Sequence, residues 1–200
     1  MPDKGDDDIG QSSIQHQQFS SATIAIRAQK KILSKIISRN NAKLFVDDVT
    51  IRLFDYLHQI LKTSYNKMIA EKVVKNIIKL VVKLSVILRN EKFTKEQQNQ
   101  LTKIQRHMRQ LCLTIISFGK VAFSYDYAYL NALLNETYRR LIPLVEQILS
   151  DKSKQRLDMI FEYLCKELVL DSLFRADGEH KKLLPKVITD LELLIDRKEL

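Results

Sequence analysis

The sequence predicts an all-α protein, a single antiparallel bundle of about six to seven helices. Three observations predict it. Glycine and proline number only 4 and 3 in 200 residues, and a sheet fold needs many more turn residues. Apolar residues recur at helical spacing from Ser20 onward. No stretch alternates apolar and polar in the manner of a half-buried strand. Hydrophobic residues make up 45% of the chain, which suits one globular domain of this length. Residues 1–19 read as an acidic and Gln/Ser-rich tail, too poor in large apolar groups to offset their ordering entropy. Residues 20–200 read as the helical domain.

The elements follow in order. Ser20 and Ser21 can cap a first helix to about Arg39. Ile26, Ile32, Leu33, Ile36 and Ile37 form its apolar face, and Arg27, Lys30, Lys31, Lys35 and Arg39 its basic face. No acidic residue occurs between Asp8 and Asp47. Asp47 and Asp48 open a second helix to about Thr63, with Ile51, Leu53, Phe54, Leu57 and Leu61 at core spacing. A third runs from about Met68 to Arg89, where Lys72, Lys75, Lys79 and Lys83 make one narrow stripe on an otherwise apolar helix. Such a helix is central, covered on most sides. Thr94 and Gln97 read as a capping box for a fourth helix to about Phe118, which Gly119 stops. Ser124 caps a fifth that Pro143 should kink. Ser153 caps a sixth, with Leu157, Ile160, Phe161, Leu164 and Leu168 inward. Asp177 and Gly178 break the chain before a last helix carrying Leu183, Leu184, Ile188, Leu191, Leu194 and Ile195, with Pro185 either in its first turn or kinking it.

Chemistry is hard to find. There is no phosphate-binding glycine loop, no HExxH and no histidine pair at ligand spacing. Cys112 and Cys165 sit in or beside apolar stripes and read as small buried hydrophobes, in a reducing, cytosolic setting. Neither a cofactor nor an enzymatic activity is expected. The N-terminal residues lack the pattern of a signal peptide, and the most apolar run, Ile77–Leu88, is too short and too charged to span a bilayer.

Charge is the strongest remaining signal. The net charge is +9. Residues 1–10 hold four aspartates against one lysine, so the rest of the chain carries +12. A domain this basic suits anionic partners. The basic first helix has no aromatic residue for stacking on bases, which argues against nucleic acid. A cationic amphipathic helix suits an anionic membrane surface. The plainer alternative is that its apolar face packs on the bundle while its lysines are solvated. The wide apolar arc of the third helix has two readings as well, a central helix or the lining of an apolar cavity.

Several segments together resemble the TIPE family, the tumour necrosis factor-alpha-induced-protein-eight-like proteins. They are AQKKILSK (28–35), KLFVDD (43–48), KNIIKLVVKLSVILRNEKF (75–93), LTIISFGKVAFSY (113–125), DKSKQRLDMIF (151–161) and LLIDRKEL (193–200). The resemblance runs in order from about Ser20 to Leu200. It implies one helical domain around an elongated apolar cavity that holds lipid tails, with Ile77, Val81, Leu84, Leu88, Ile104, Met108, Leu111 and Leu133 as lining candidates. It implies a bound anionic phospholipid, a phosphoinositide, and lipid transfer in the regulation of survival or inflammation. The protein would work in the cytoplasm, peripherally at the inner leaflet of the plasma membrane. Lys30, Lys31 and Lys35 match the family's basic first helix, and Arg89 matches a head-group arginine. A second head-group arginine falls at Gln105, where this chain departs from the pattern; Arg106 is adjacent and Arg109 one turn on. The alternative implied by the same resemblance is a non-enzymatic adaptor for G-protein alpha subunits or small GTPases.

Overall fold

The computed structural model describes residues 19–33, 46–89, 93–121 and 123–197; the side chains of Ile32, Leu33, Leu88 and Arg89 fall outside the description as well. Among the described residues there are eight α-helices, one short 3-10 turn and no strand. The helices are α1 (Ser21–Leu33), α2 (Asp48–Ser64), α3 (Lys67–Arg89), α4 (Lys95–Lys120), α5 (Tyr127–Ile148), α6 (Asp151–Leu164), α7 (Glu167–Phe174) and α8 (Leu184–Asp196). The expected continuation of the first helix to Arg39 lies outside the described residues.

Caps set several boundaries. The Asp47 carboxylate accepts from the Thr50 amide at 2.8 Å. The Thr94–Gln97 box forms in both directions, at 3.2 and 2.9 Å. At α5 the cap is Asp126, whose carboxylate accepts from the Tyr129 amide at 3.0 Å, and not Ser124. At α6 the cap position is Ser150. Ser153 lies in the first turn, fully buried, and its hydroxyl accepts from Lys83 Nζ at 2.8 Å.

Four other expectations are corrected by packing. Ile26 is 41% exposed. The buried side of α1 is Ser21, Ala25 and Gln29, a row of mostly small residues that lets α1 lie close on α3. Phe19, assigned to the tail, stacks flat on His58 with ring centroids 3.9 Å apart. Burial lowers the His58 pKa. Gly119 does not stop α4, which continues to Lys120. A side chain there would collide with Ile188 and crowd Leu184, so the glycine serves a close approach of α8. Finally, one long helix was expected from Ser153 past Leu168. The chain instead turns at Cys165 and Lys166, where the Cys165 carbonyl accepts from the Tyr127 hydroxyl at 3.1 Å. Leu168 is exposed, and α7 buries Val169, Leu173 and Phe174. Pro143 sits inside α5, which runs through it.

Gly178 leads from α7 toward α8 under tight contact. A Cβ at this position would lie 2.5 Å from the Ser172 carbonyl oxygen and 2.7 Å from that of Asp171. Both are backbone atoms that cannot swing aside. Gly178→Ala should therefore destabilise the protein by about 1–3 kcal/mol, in the range of other overpacked sites. A thermal melt measures it; an unshifted midpoint would mean the turn relaxes freely.

Candidate functional site

The helices that pack on one another form a closed ring. α2 packs on α3, α3 on α6, α6 on α5, α5 on α4, α4 on α8, and α8 back on α2. α1 lies outside, against α3 and α2, and α7 packs against α2, α5 and α6. Polar bonds fix direction. Asn76 reaches Met159 and Lys83 reaches Ser153, so α3 and α6 are antiparallel. Arg52 clamps Asp190 through two bonds of 3.0 and 2.5 Å, and Arg197 meets Asp47 at 3.0 Å, so α8 runs back along α2. One end of the ring therefore gathers the end of α2, the start of α3, the end of α6 and the start of α8. This end is sealed. α7 crosses it, Tyr125 stacks on Phe174 at 5.0 Å, and Phe118 meets Phe174 edge-on at 6.1 Å.

Burial across the ring is uneven in a consistent way. On α4, Ile104, His107 and Leu111 are buried on the side facing α5, where the His107 ring meets the Leu133 carbonyl at 3.2 Å. Cys112 and Ile116 are buried one side round, toward the α8 seam that Gly119 marks. Between these seams lies the row Leu101, Met108, Ile115, at seven-residue spacing. It faces the ring's interior yet is only half-buried. α5 repeats the pattern. Leu133, Thr137 and Leu144 are buried on the α4 side and Val145 nearer α6, with half-buried Leu134, Leu141 and Ile148 between. On α3 buried positions continue along the helix, through Ile78, Leu80, Val82 and Val86. Ala70, Val73 and Val74 are fully buried at the sealed end. Ile77, Val81 and Leu84, further along the same face, are half-buried.

The proposed lining residues divide accordingly. Ile77, Val81, Leu84 and Met108 belong to the half-buried inward rows. Ile104, Leu111 and Leu133 are instead buried in the α4–α5 seam, and the Leu88 side chain lies outside the described residues. Leu101, Ile115, Leu134, Leu141 and Ile148 lie on the same half-buried rows. Their signal was the seven-residue repeat shared by two neighbouring helices.

Of the head-group candidates, Arg89 ends α3, at the end of the ring opposite α7; its side chain is outside the description. Gln105, Arg106 and Arg109 are all exposed. At about 100° per residue, Gln105 stands roughly 60° from the inward row of α4, Arg109 about 100° and Arg106 about 160°. Gln105 is thus the one nearest the interior, and Arg106 faces outward. Lys30 and Lys31 are exposed at the end of α1, and Lys35 lies outside the described residues. α1 starts beside Glu71 and Lys75, and the charge of Lys31 bears on Lys79, so it runs along α3 away from the sealed end.

Cys112 is buried and Cys165 half-buried. Burial pushes both thiols up to about 11. Among the described residues no cluster of His, Cys, Asp and Glu could hold a metal ion, and no helix is long and apolar enough to cross a membrane.

Comparison with known proteins places this architecture. The family model described as tumor necrosis factor alpha-induced protein 8-like matches residues 19–198. This chain belongs to the tumor necrosis factor alpha-induced protein 8-like family. It is similar to the protein salivary glands marred of Drosophila melanogaster, 36% identical over 89% of this chain and 95% of that one. It is 33% identical to tumor necrosis factor alpha-induced protein 8-like protein 3 of Xenopus laevis, over 99% and 98%. It is 31% identical to tumor necrosis factor alpha-induced protein 8 of Homo sapiens, over 91% and 92%. Phe19, which docks the start of α1 on His58, is the first residue of the family match.

Proposed function

We propose that the six-helix ring encloses an elongated apolar cavity for the acyl chains of an anionic phospholipid, a phosphoinositide above all. In this reading the protein is a non-enzymatic lipid carrier that regulates survival or inflammatory signalling at the inner leaflet of the plasma membrane. The observation that carries it is the half-burial of the inward rows between fully buried seams. In a ring of six helices spaced about 8–10 Å apart, the centre lies about the same distance from every axis. That leaves room on the scale of another helix unless long side chains fill it. Leu101, Met108, Ile115, Ile77, Val81 and Leu84 are each only half-buried. Acyl chains would cover them, with each buried methylene contributing about 0.8 kcal/mol. The head group would sit at the end opposite α7, near Arg89 and Gln105, and α1 would bring Lys30, Lys31 and Lys35 to the bilayer.

Native mass spectrometry with lipid extraction tests the reading. Phospholipid at about one per chain supports it. A protein that stays empty after incubation with phosphoinositide vesicles would instead favour the adaptor role toward GTPases or G-protein alpha subunits. Arg89→Ala should keep the fold but lose head-group preference, measured by competition between phosphoinositide and phosphatidylcholine vesicles. Reversing Lys30, Lys31 and Lys35 to glutamate should weaken vesicle association, most at low salt, because each cation near an anionic surface contributes about 1 kcal/mol.

A further inference from the structure

The outer side of α3 carries a concentration of positive charge. Lys75, Lys79 and Lys83 recur at four-residue spacing, over a rise of about 12 Å. α1 packs on one side of this strip and α6 on the other. Lys31 of α1 and Lys152 and Arg156 of α6 add their charges to it. The Lys79 pKa is lowered by burial and then by Arg156, Lys75, Lys152 and Lys31. Glu71 holds Lys75 at 2.8 Å, and the Ser153 hydroxyl accepts from Lys83. Cations this close oppose one another's ionisation, and an anionic occupant would relieve them.

The chain carries a matching occupant. Residues 1–18 hold Asp3, Asp6, Asp7 and Asp8 against Lys4, a net −3. They join the described structure at Phe19, whose ring is pinned between His58 and Lys75, with Lys75 Nζ 5.9 Å from its centroid. The acidic segment is therefore tethered at the first lysine of the strip. Asp8 precedes Phe19 by eleven positions, and eleven residues reach at most about 36–40 Å. The strip is shorter than this reach. We propose that the lysine strip of α3, flanked by α1 and α6, is the docking surface of the chain's own acidic N-terminal segment. Tethering on a short linker sets an effective concentration in the millimolar range, enough for weak ionic contacts to act. An anionic bilayer would compete for the same strip; that consequence rests on the proposed membrane function, whereas the docking does not.

Paramagnetic relaxation measured by NMR on the full-length chain tests the docking. A nitroxide label is placed at Gly5→Cys in a Cys165→Ser background, leaving the buried Cys112 in place. Amides near Lys79, Lys83 and Arg156 should broaden, and the effect should vanish in Lys79→Glu/Arg156→Glu and in high salt. Broadening scattered over the surface, or unaffected by the double variant, overturns the proposal. A second measurement uses vesicles of phosphatidylcholine with phosphatidylserine. Neutralising the four aspartates to asparagine should tighten association about three- to ten-fold at low salt. If neither form binds vesicles while the relaxation pattern persists, the docking stands and the membrane reading fails.

Discussion

On the proposed lipid function, a Val81→Trp/Leu84→Trp variant should take up less phospholipid than wild type and keep its fold. Both positions lie on the inward row of α3, where burial is incomplete. Two indoles would fill space that acyl chains would otherwise occupy. The same substitutions separate a hollow ring from a solid one. In a packed core, each enlargement forces its neighbours off their rotamers and costs about 1–3 kcal/mol. In a hollow ring the indoles enter free space, and the melting temperature should match or exceed that of delipidated wild type. Lipid content by extraction and a thermal melt of both proteins supply the answer. Retained lipid together with a sharply lowered midpoint would sink the cavity.

Leu61→Ala should show the opposite behaviour at the other end of the ring. Leu61 is fully buried at the end of α2, beside the start of α3 and under α7. Removing its side chain in a sealed region leaves a void that the surrounding helices cannot close. The expected loss is about 2–5 kcal/mol. For a chain of this size, each kcal/mol lowers the melting temperature by about 2–4 °C. Leu84→Ala, on the half-buried row, should cost far less in lipid-free protein, because less of its side chain is buried. Equal losses at the two positions would count against the proposed cavity.

Much of the fold was legible because its signals are local. The Asp47 cap and the Thr94–Gln97 box depend on side chains within one turn of the bonds they make, and both formed as read. The extent of α3 followed from its apolar residues at helical spacing around one lysine stripe and from its helix-ending Arg89. The misreadings share a cause. Gly119 and Ser153 carry ordinary local meanings, a stop and a cap, that tertiary contacts override. α8 approaches too closely for any side chain at Gly119, and Lys83 reaches Ser153 from another helix. The break at Cys165 likewise depends on Tyr127, far away in sequence.

For the candidate site, the sequence by itself determined the helical class, the family, the basic strip of α3 and the acidic segment ahead of Phe19. Periodicity and charge are properties of a single strand of chain. Only the tertiary structure decided which apolar rows look inward. An apolar stripe has the same spacing whether it meets a neighbouring helix or the centre of a ring. Ile104 and Met108 occupy adjacent places on one apolar face, yet one is buried against α5 and the other is only half-buried. That distinction arises from six helices closing on one another, and no segment of the chain carries it alone.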